Sequence, residues 1–214
     1  MMKTEIIPAV LSHTRHEALD RIKLVSKVGK TLQVDICDGH FVPNTTLLPR
    51  DLVDIKTKTA FEFHLMVLYP EHHLHDIAHI PQSKTVIFHI ESMPDAKHVE
   101  RFIRHARFHK LKVGIALKPE TPALKIKPFL KLVDQVTVMT VNPGFMGAQF
   151  IDQTNKIKQI RKWNKKIAIE VDGGIHHGTL AICHKAGANK FVVGSALTAK
   201  DLKKTFKLLL KELK

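Results

Sequence analysis

Cysteine is scarce in this chain: Cys37 and Cys183 are the only two in 214 residues. A single pair cannot build the disulfide framework that staples small secreted folds, and its scarcity fits a reducing compartment. No apolar run reaches the roughly eighteen residues needed to span a bilayer. Low-complexity tracts and Ser/Gly linkers are absent too, so residues 1–214 read as a single domain. The first strand-like run starts so close to Met1 that a secretory leader has no room, and a cytoplasmic location is expected. Acids are in the minority, 20 Asp and Glu against 34 Lys and Arg, for a net charge of +14. The lysines are scattered rather than clustered with aromatics, so they read as solvated helix faces; no nucleic acid and no membrane is expected as a partner.

What is present is an alternation of short β-branched runs with amphipathic stretches. The strands read as 5–10, 31–36, 61–67, 84–90, 111–117, 134–139, 166–171 and 189–193. Helical patterns lie between them, near 14–28, 49–57, 71–79, 94–108, 121–130, 150–163, 176–186 and 199–213. Thr14 to Glu17 spells a capping box and Thr198 to Asp201 a weaker one, while Gly29 and Gly187 stand where helices should stop. In the last pattern Phe206, Leu209, Leu210 and Leu213 share an apolar face that should dock on the domain. Eight hydrophobic strand–helix units predict an α/β fold with a parallel sheet, closed as a (β/α)8 TIM barrel. An open doubly wound sheet usually carries a glycine-rich turn after its first strand; Leu11 to Thr14 contains no glycine.

Strand parity then sorts the polar residues. Gln33, Asp35 and Cys37 oppose Val34 and Ile36; Glu62, His64 and Met66 oppose Phe61, Phe63 and Leu65. Ile87, His89 and Glu91 oppose Val86, Phe88 and Ile90, and Glu170 and Asp172 oppose Ile169 and Val171. With the aliphatic sets against the helices, Gln33, Asp35, His64 and Asp172 should converge inside the barrel mouth, where active sites of this fold sit. Such donors could hold one divalent metal. A hydrogen-bonded polar layer, with His64 satisfied by a carboxylate, is the alternative reading. Glycines crowd three strand ends, in Asn142 to Gly147, Asp172 to Gly174 and Gly194-Ser195, where backbone N–H groups and following helix N-termini could take a phosphate. Cys37, without a neighbouring lysine or helix N-terminus, reads as an inert thiol. His72, His73, His75 and His79 read as a solvated helix surface in a chain with 15 histidines.

These strings resemble the ribulose-phosphate 3-epimerase family. The likeness runs nearly the whole chain: Pro8 to Ser12, Asp38 to Asn44 (DGHFVPN), His64 to Val67, His89 to Glu91, Val138 to Phe145 (containing MTVNPGF), Val171 to Ile175 and Val193 to Ala196. The resemblance implies an isomerase that inverts C3 of a ketopentose phosphate through an enediolate, with Asp35 and Asp172 as the catalytic acid–base pair. It implies one divalent metal ion (Zn, Fe, Mn or Co) on Gln33, Asp35, His64 and Asp172. Ala9, His64, Met66, Met139, Gly144, Phe145, Met146, Gly147, Gly173, Gly174, Gly194 and Ser195 would line the substrate and phosphate site. A sugar phosphate is the expected small-molecule partner, and a homo-oligomer the expected assembly.

The chain departs from the family pattern at the mouth. Gln33 stands for a metal-ligating His, Ala9 for a Ser, Cys37 for a Met, Leu48 for a Gly, Lys118 for an Asn and Ala148 for a Gln. An amide oxygen in place of imidazole should weaken or alter the metal preference. Reshaping of the sugar end keeps open an epimerase for another ketose phosphate, such as allulose 6-phosphate, or a non-catalytic sugar-phosphate binder.

Overall fold

Eight parallel strands close on themselves in a computed structural model that describes residues 3–213. They run Glu5–Val10 (β1), Thr31–Cys37 (β2), Ala60–Met66 (β3), Ser83–His89 (β4), Lys112–Leu117 (β5), Gln135–Met139 (β6), Ala168–Asp172 (β7) and Lys190–Val193 (β8). Each pairs with the next and β8 returns to β1, in the order of a (β/α)8 barrel. No helix among the described residues is long and apolar enough to cross a membrane.

The helical shell is less regular than the sequence pattern suggests. Among the described residues six α-helices form: Arg15–Val25 (α1), Leu74–Ala78 (α2), Ala96–Phe108 (α3), Thr154–Trp163 (α4), Thr179–Ala186 (α5) and Leu202–Glu212 (α6). The helices expected over 49–57 and 121–130 are instead 3-10 segments, Pro49–Leu52 and Ala123–Phe129. In the second, Pro128 removes an N–H and its ring opposes the carbonyl four residues back, so an α ladder cannot run through it. In the first, the β-branched Val53, Ile55 and Thr57 resist helix, and the chain turns after Leu52 buries. The stretch at 71–79 divides likewise into a 3-10 turn at Pro70–His73 and the short α2.

Thr14 and Glu17 make the expected capping box on α1. The box read at Thr198 to Asp201 does not form: α6 starts only at Leu202, the first residue that buries, and the Asp201 side chain caps nothing. Gly187 ends α5 in the left-handed region, φ 115°, as expected. Gly29 stands beyond α1, which stops at Val25; a Cβ on it would lie 2.7 Å from Pro8 of β1. On α6, Leu209 buries, Phe206 and Leu213 pack at the edge, and Leu210 faces solvent, so the docking face is narrower than the pattern implies.

Parity works as read. Val34, Ile36, Phe61, Phe63, Leu65, Val86, Phe88, Ile169 and Val171 belong to one core with the apolar faces of the helices. Inside the barrel Ile7, Ala9 and Val192 form a small apolar plug, and Cys37 and Met66 pack with Val42 at the ends of β2 and β3. Polar and charged residues share that interior. At its floor Lys190 Nζ lies 2.5 Å from Glu62 Oε2, 3.1 Å from Glu170 Oε2 and 2.6 Å from Gln135 Oε1, and Thr137 donates to Glu170 at 2.8 Å. Burial and the neighbouring Glu170 charge push the Glu62 carboxyl well up, against the pull of Lys190. One ammonium therefore faces two buried carboxyl groups. Replacing it leaves them uncompensated, so Lys190→Met is expected to destabilise the fold by about 3–5 kcal/mol in urea unfolding. Glu62→Gln should cost much less, because burial and the Glu170 charge already push that carboxyl towards its neutral form; equal losses would refute this reading.

Candidate active site

The barrel delivers three strands to one point. Asp35 lies opposite His64 in the β2–β3 register, and Asp172 ends β7 beside Met139 of β6. Closure brings β2 and β7 face to face across the mouth. The Gln33 amide Nε2 donates to Asp35 Oδ1 and to Asp172 Oδ2, both at 2.8 Å. His64 Nδ1 lies 3.3 Å from Asp35 Oδ1 and 3.2 Å from Asp172 Oδ2. Gln33 and His64 are fully buried; the Asp35 and Asp172 side chains are 7% and 16% exposed, so only the carboxylates look out.

Burial, reinforced by the nearby Asp172, pushes the Asp35 carboxyl up to about 6 even though His64 and Gln33 favour its ionised form. Burial alone would lower His64, but its bonds to Asp172 and Asp35 and their charges carry it up to about 10. Without a metal, the imidazolium is thus the cation that balances the pair. Burial lifts the Cys37 thiol far above its ordinary value, with Asp35 and Asp38 adding to the effect, in keeping with an inert thiol.

One ligand atom each from Asp35, His64 and Asp172 lies within 4.8 Å of the others, a triad that can hold a metal ion. Gln33 was expected to offer its amide oxygen to the same ion. In the structure its NH2 faces the acids instead, and Oε1 is buried with no partner. An orphaned amide oxygen beside two carboxylates and an imidazole nitrogen fits a divalent cation, because a half-turn of the amide satisfies that oxygen only if positive charge stands among the acids.

Behind the triad, His64 Nε2 meets His89 Nε2 at 2.9 Å, and His89 Nδ1 meets Glu91 Oε2 at 3.2 Å. Burial holds His89 down to about 4; Glu91, which burial alone would raise, is brought down to about 2, chiefly by its bond from His89.

Above the acids opens a cavity. Asp35 and Asp172 border it with Ala9, Met66, Met139, Gly144, Phe145, Met146, Gly147, Gly173, Gly174, Gly194 and Ser195. Gln33 and His64 lie beneath it and do not line it, so His64 reaches the carboxylates and not the open space. The glycine mouths also have a steric reason. A Cβ on Gly173 (φ 113°) would collide with Val141, and one on Gly174 (φ 62°) would lie 2.9 Å from Phe150. No helix N-terminus follows them directly, contrary to expectation: α5 opens at Thr179 and α6 at Leu202. Any anion here would meet backbone turns.

Several contacts that shape this mouth could not be read from the sequence. Asp38 accepts from the N–H groups of His40, Phe41 and Leu68, tying the DGHFVPN loop to the end of β3. Asn44 Nδ2 donates to Gly144 O at 2.6 Å, linking that loop to the one after β6. Arg21 of α1 donates to Ala9 O, Leu197 O and Gly194 O at 3.2, 2.6 and 2.9 Å, fixing the β8 turn from outside.

A sequence profile of the ribulose-phosphate 3 epimerase family matches residues 5–198. The chain belongs to that family. It is 34% identical over 198 residues to the ribulose-phosphate 3-epimerase of Rhodobacter capsulatus, covering 90% of this chain and 85% of that protein. Against the ribulose-phosphate 3-epimerase of Treponema pallidum it is 37% identical over 207 residues, covering 92% and 93%. In fold it is similar to a mutant tryptophan synthase α-subunit from Pyrococcus furiosus, with a TM-score of 0.70 at 16% identity, covering 100% of this chain and 98% of that one. At that identity only the barrel is shared.

Of the positions read from the sequence as departures from the family pattern, Ala9 and Ala148 line the cavity. Lys118 does not: its ammonium sits 4.2 Å over the Phe41 ring, and Leu48 opens a 3-10 turn.

The His64 shift has a measurable sign. Its folded pKa lies above the ordinary 6.5, so in metal-free protein its contribution to stability is complete below that value and is lost as pH climbs towards about 10. With chelator present, the stability advantage of wild type over His64→Asn in urea titrations should shrink steadily across that window. A gap that stays constant would show that His64 is not the balancing cation.

Proposed function

We propose that the protein interconverts the C3 epimers of a ketopentose 5-phosphate, the ribulose and xylulose forms, with Asp35 and Asp172 as the two acid–base groups. The observation that carries this reading is the pair itself: carboxylates from opposite sides of the barrel, both bonded at 2.8 Å to one amide, bordering one cavity. Inverting a C–H centre needs proton transfer on two faces, because one base alone returns the proton to the side it left. Asp35 takes the C3 proton from one face and Asp172 delivers one to the other, through an enediolate, with roles reversed in the other direction. Burial, by lifting Asp35 to about 6, makes it a base that can also serve as an acid near neutral pH.

In the metal-free site the Gln33 NH2 holds both carboxylates towards a common point; with a metal bound, the amide would turn over to present its oxygen. Met66 and Met139 line the same cavity and keep water from the reacting carbon. Backbone N–H groups of Gly144, Gly147, Gly173, Gly174 and Gly194, with Ser195 and the flanking Phe145 and Met146, take the phosphate. Asp35, His64, Asp172 and the Gln33 oxygen would hold a divalent metal (Zn, Fe, Mn or Co), which when bound stabilises the negative charge that develops on the substrate oxygens.

In a coupled assay of metal-reconstituted enzyme on ribulose 5-phosphate, Asp35→Asn and Asp172→Asn are each expected to lower kcat by about 10²–10⁴-fold. Full activity in either variant would rule the assignment out. Arg21→Ala, which frees the Gly194 and Leu197 carbonyls, should raise KM roughly tenfold with little change in kcat, the worth of about 1.4 kcal/mol of hydrogen bonding. A pure kcat effect would mean that the β8 turn does not bind substrate.

A further inference from the structure

We infer that Glu91, acting through His89, fixes which nitrogen of His64 is free to face the two aspartates, so that a residue outside the substrate cavity sets the metal-binding competence of the site. The inference rests on the proposed metal role of His64 and adds a positioning relay to it.

The direction of the relay follows from what each atom can do. Glu91 Oε1 is held by the Lys118 backbone N–H at 2.9 Å, which fixes the carboxylate and turns Oε2 to His89 Nδ1 at 3.2 Å. A carboxylate only accepts, so His89 Nδ1 carries the hydrogen. In neutral His89 the other nitrogen is then a bare acceptor. It faces His64 Nε2 at 2.9 Å, so the hydrogen of that contact belongs to His64. His64 Nδ1 is left as the nitrogen that points at Asp35 and Asp172, and in the neutral ring it presents a lone pair to a cation.

The surroundings permit no easy alternative. Both rings are fully buried and nearly parallel, with centroids 5.0 Å apart and 19° between planes, and Phe41 packs on His89 at 4.8 Å. Water cannot replace a lost partner there without repacking. If His89 turned to the other tautomer, two N–H groups would meet head on at 2.9 Å unless His64 also switched. A switched His64 carries its hydrogen on Nδ1 and cannot ligate. Ligating histidines commonly have their second nitrogen fixed by a carboxylate or carbonyl; here a second imidazole is interposed, which moves the controlling charge one residue further out.

The test reads tautomers and metal, not turnover. In ¹⁵N–¹H correlation spectra of metal-free wild type, His89 is expected as the neutral Nδ1–H form with Nε2 bare. Zn(II) affinity is then measured by chelator competition, with Asp172→Asn defining the background from surface histidines. Glu91→Ala and His89→Phe should each weaken the site about 10–100-fold. His89→Gln should stay within a few-fold of wild type, because its amide can donate to Glu91 and accept from His64, as the imidazole does. Finding His89 protonated on Nε2, or wild-type affinity in both Glu91→Ala and His89→Phe, would overturn the inference. If wild type binds Zn(II) no better than Asp172→Asn, the metal reading falls by itself, and the His89 tautomer still decides the relay.

Discussion

Everything at the mouth depends on strand parity in a closed parallel sheet. Side chains alternate between the helix shell and the barrel interior, and closure removes any edge along which a strand could slide. The β2–β3 register pairs Asp35 with His64, and β6–β7 pairs Met139 with Asp172. A one-residue slip of β2 would turn Asp35 into the aliphatic shell and Val34 into the interior. The aliphatic positions Val34, Ile36, Ile169 and Val171, all fully buried, hold the register that aims the acids.

That constraint creates an electrostatic problem, solved twice in the same barrel. At the floor two glutamates share one lysine, a closed arrangement suited to stability. At the mouth two aspartates have no permanent cation. Gln33 offers neutral hydrogen bonds and His64 a charge that depends on protonation. The floor is locked, whereas the mouth is left able to exchange a proton and, with the orphaned Gln33 oxygen, to accept a metal. The His89–Glu91 pair behind it is the fixed reference against which His64 is set.

The sequence disclosed what periodicity encodes. The barrel, its inward and outward faces and the convergence of Gln33, Asp35, His64 and Asp172 all follow from period-two patterns. What stayed hidden depends on local sterics or on contacts far along the chain. Pro128 broke a helical pattern whose apolar spacing looked sound, and α6 opened later than its caps suggested. Parity placed Gln33 correctly but could not say which end of an amide would meet the acids. His89 and Glu91 were read as inward-facing, yet the polarity of their bonds requires distances. Arg21 carries no local signal, since the carbonyls it holds at Gly194 and Leu197 come from the far end of the chain.

The central claim, two acids serving opposite faces of one carbon, is tested most directly by isotope exchange in D2O. Incubated with one C3 epimer at a time, Asp35→Asn and Asp172→Asn should each retain slow C3 deuterium wash-in from only the epimer whose proton faces the remaining carboxylate, and the two variants should show opposite preferences. Wash-in from both epimers in either variant, or the same preference in both, would contradict the account.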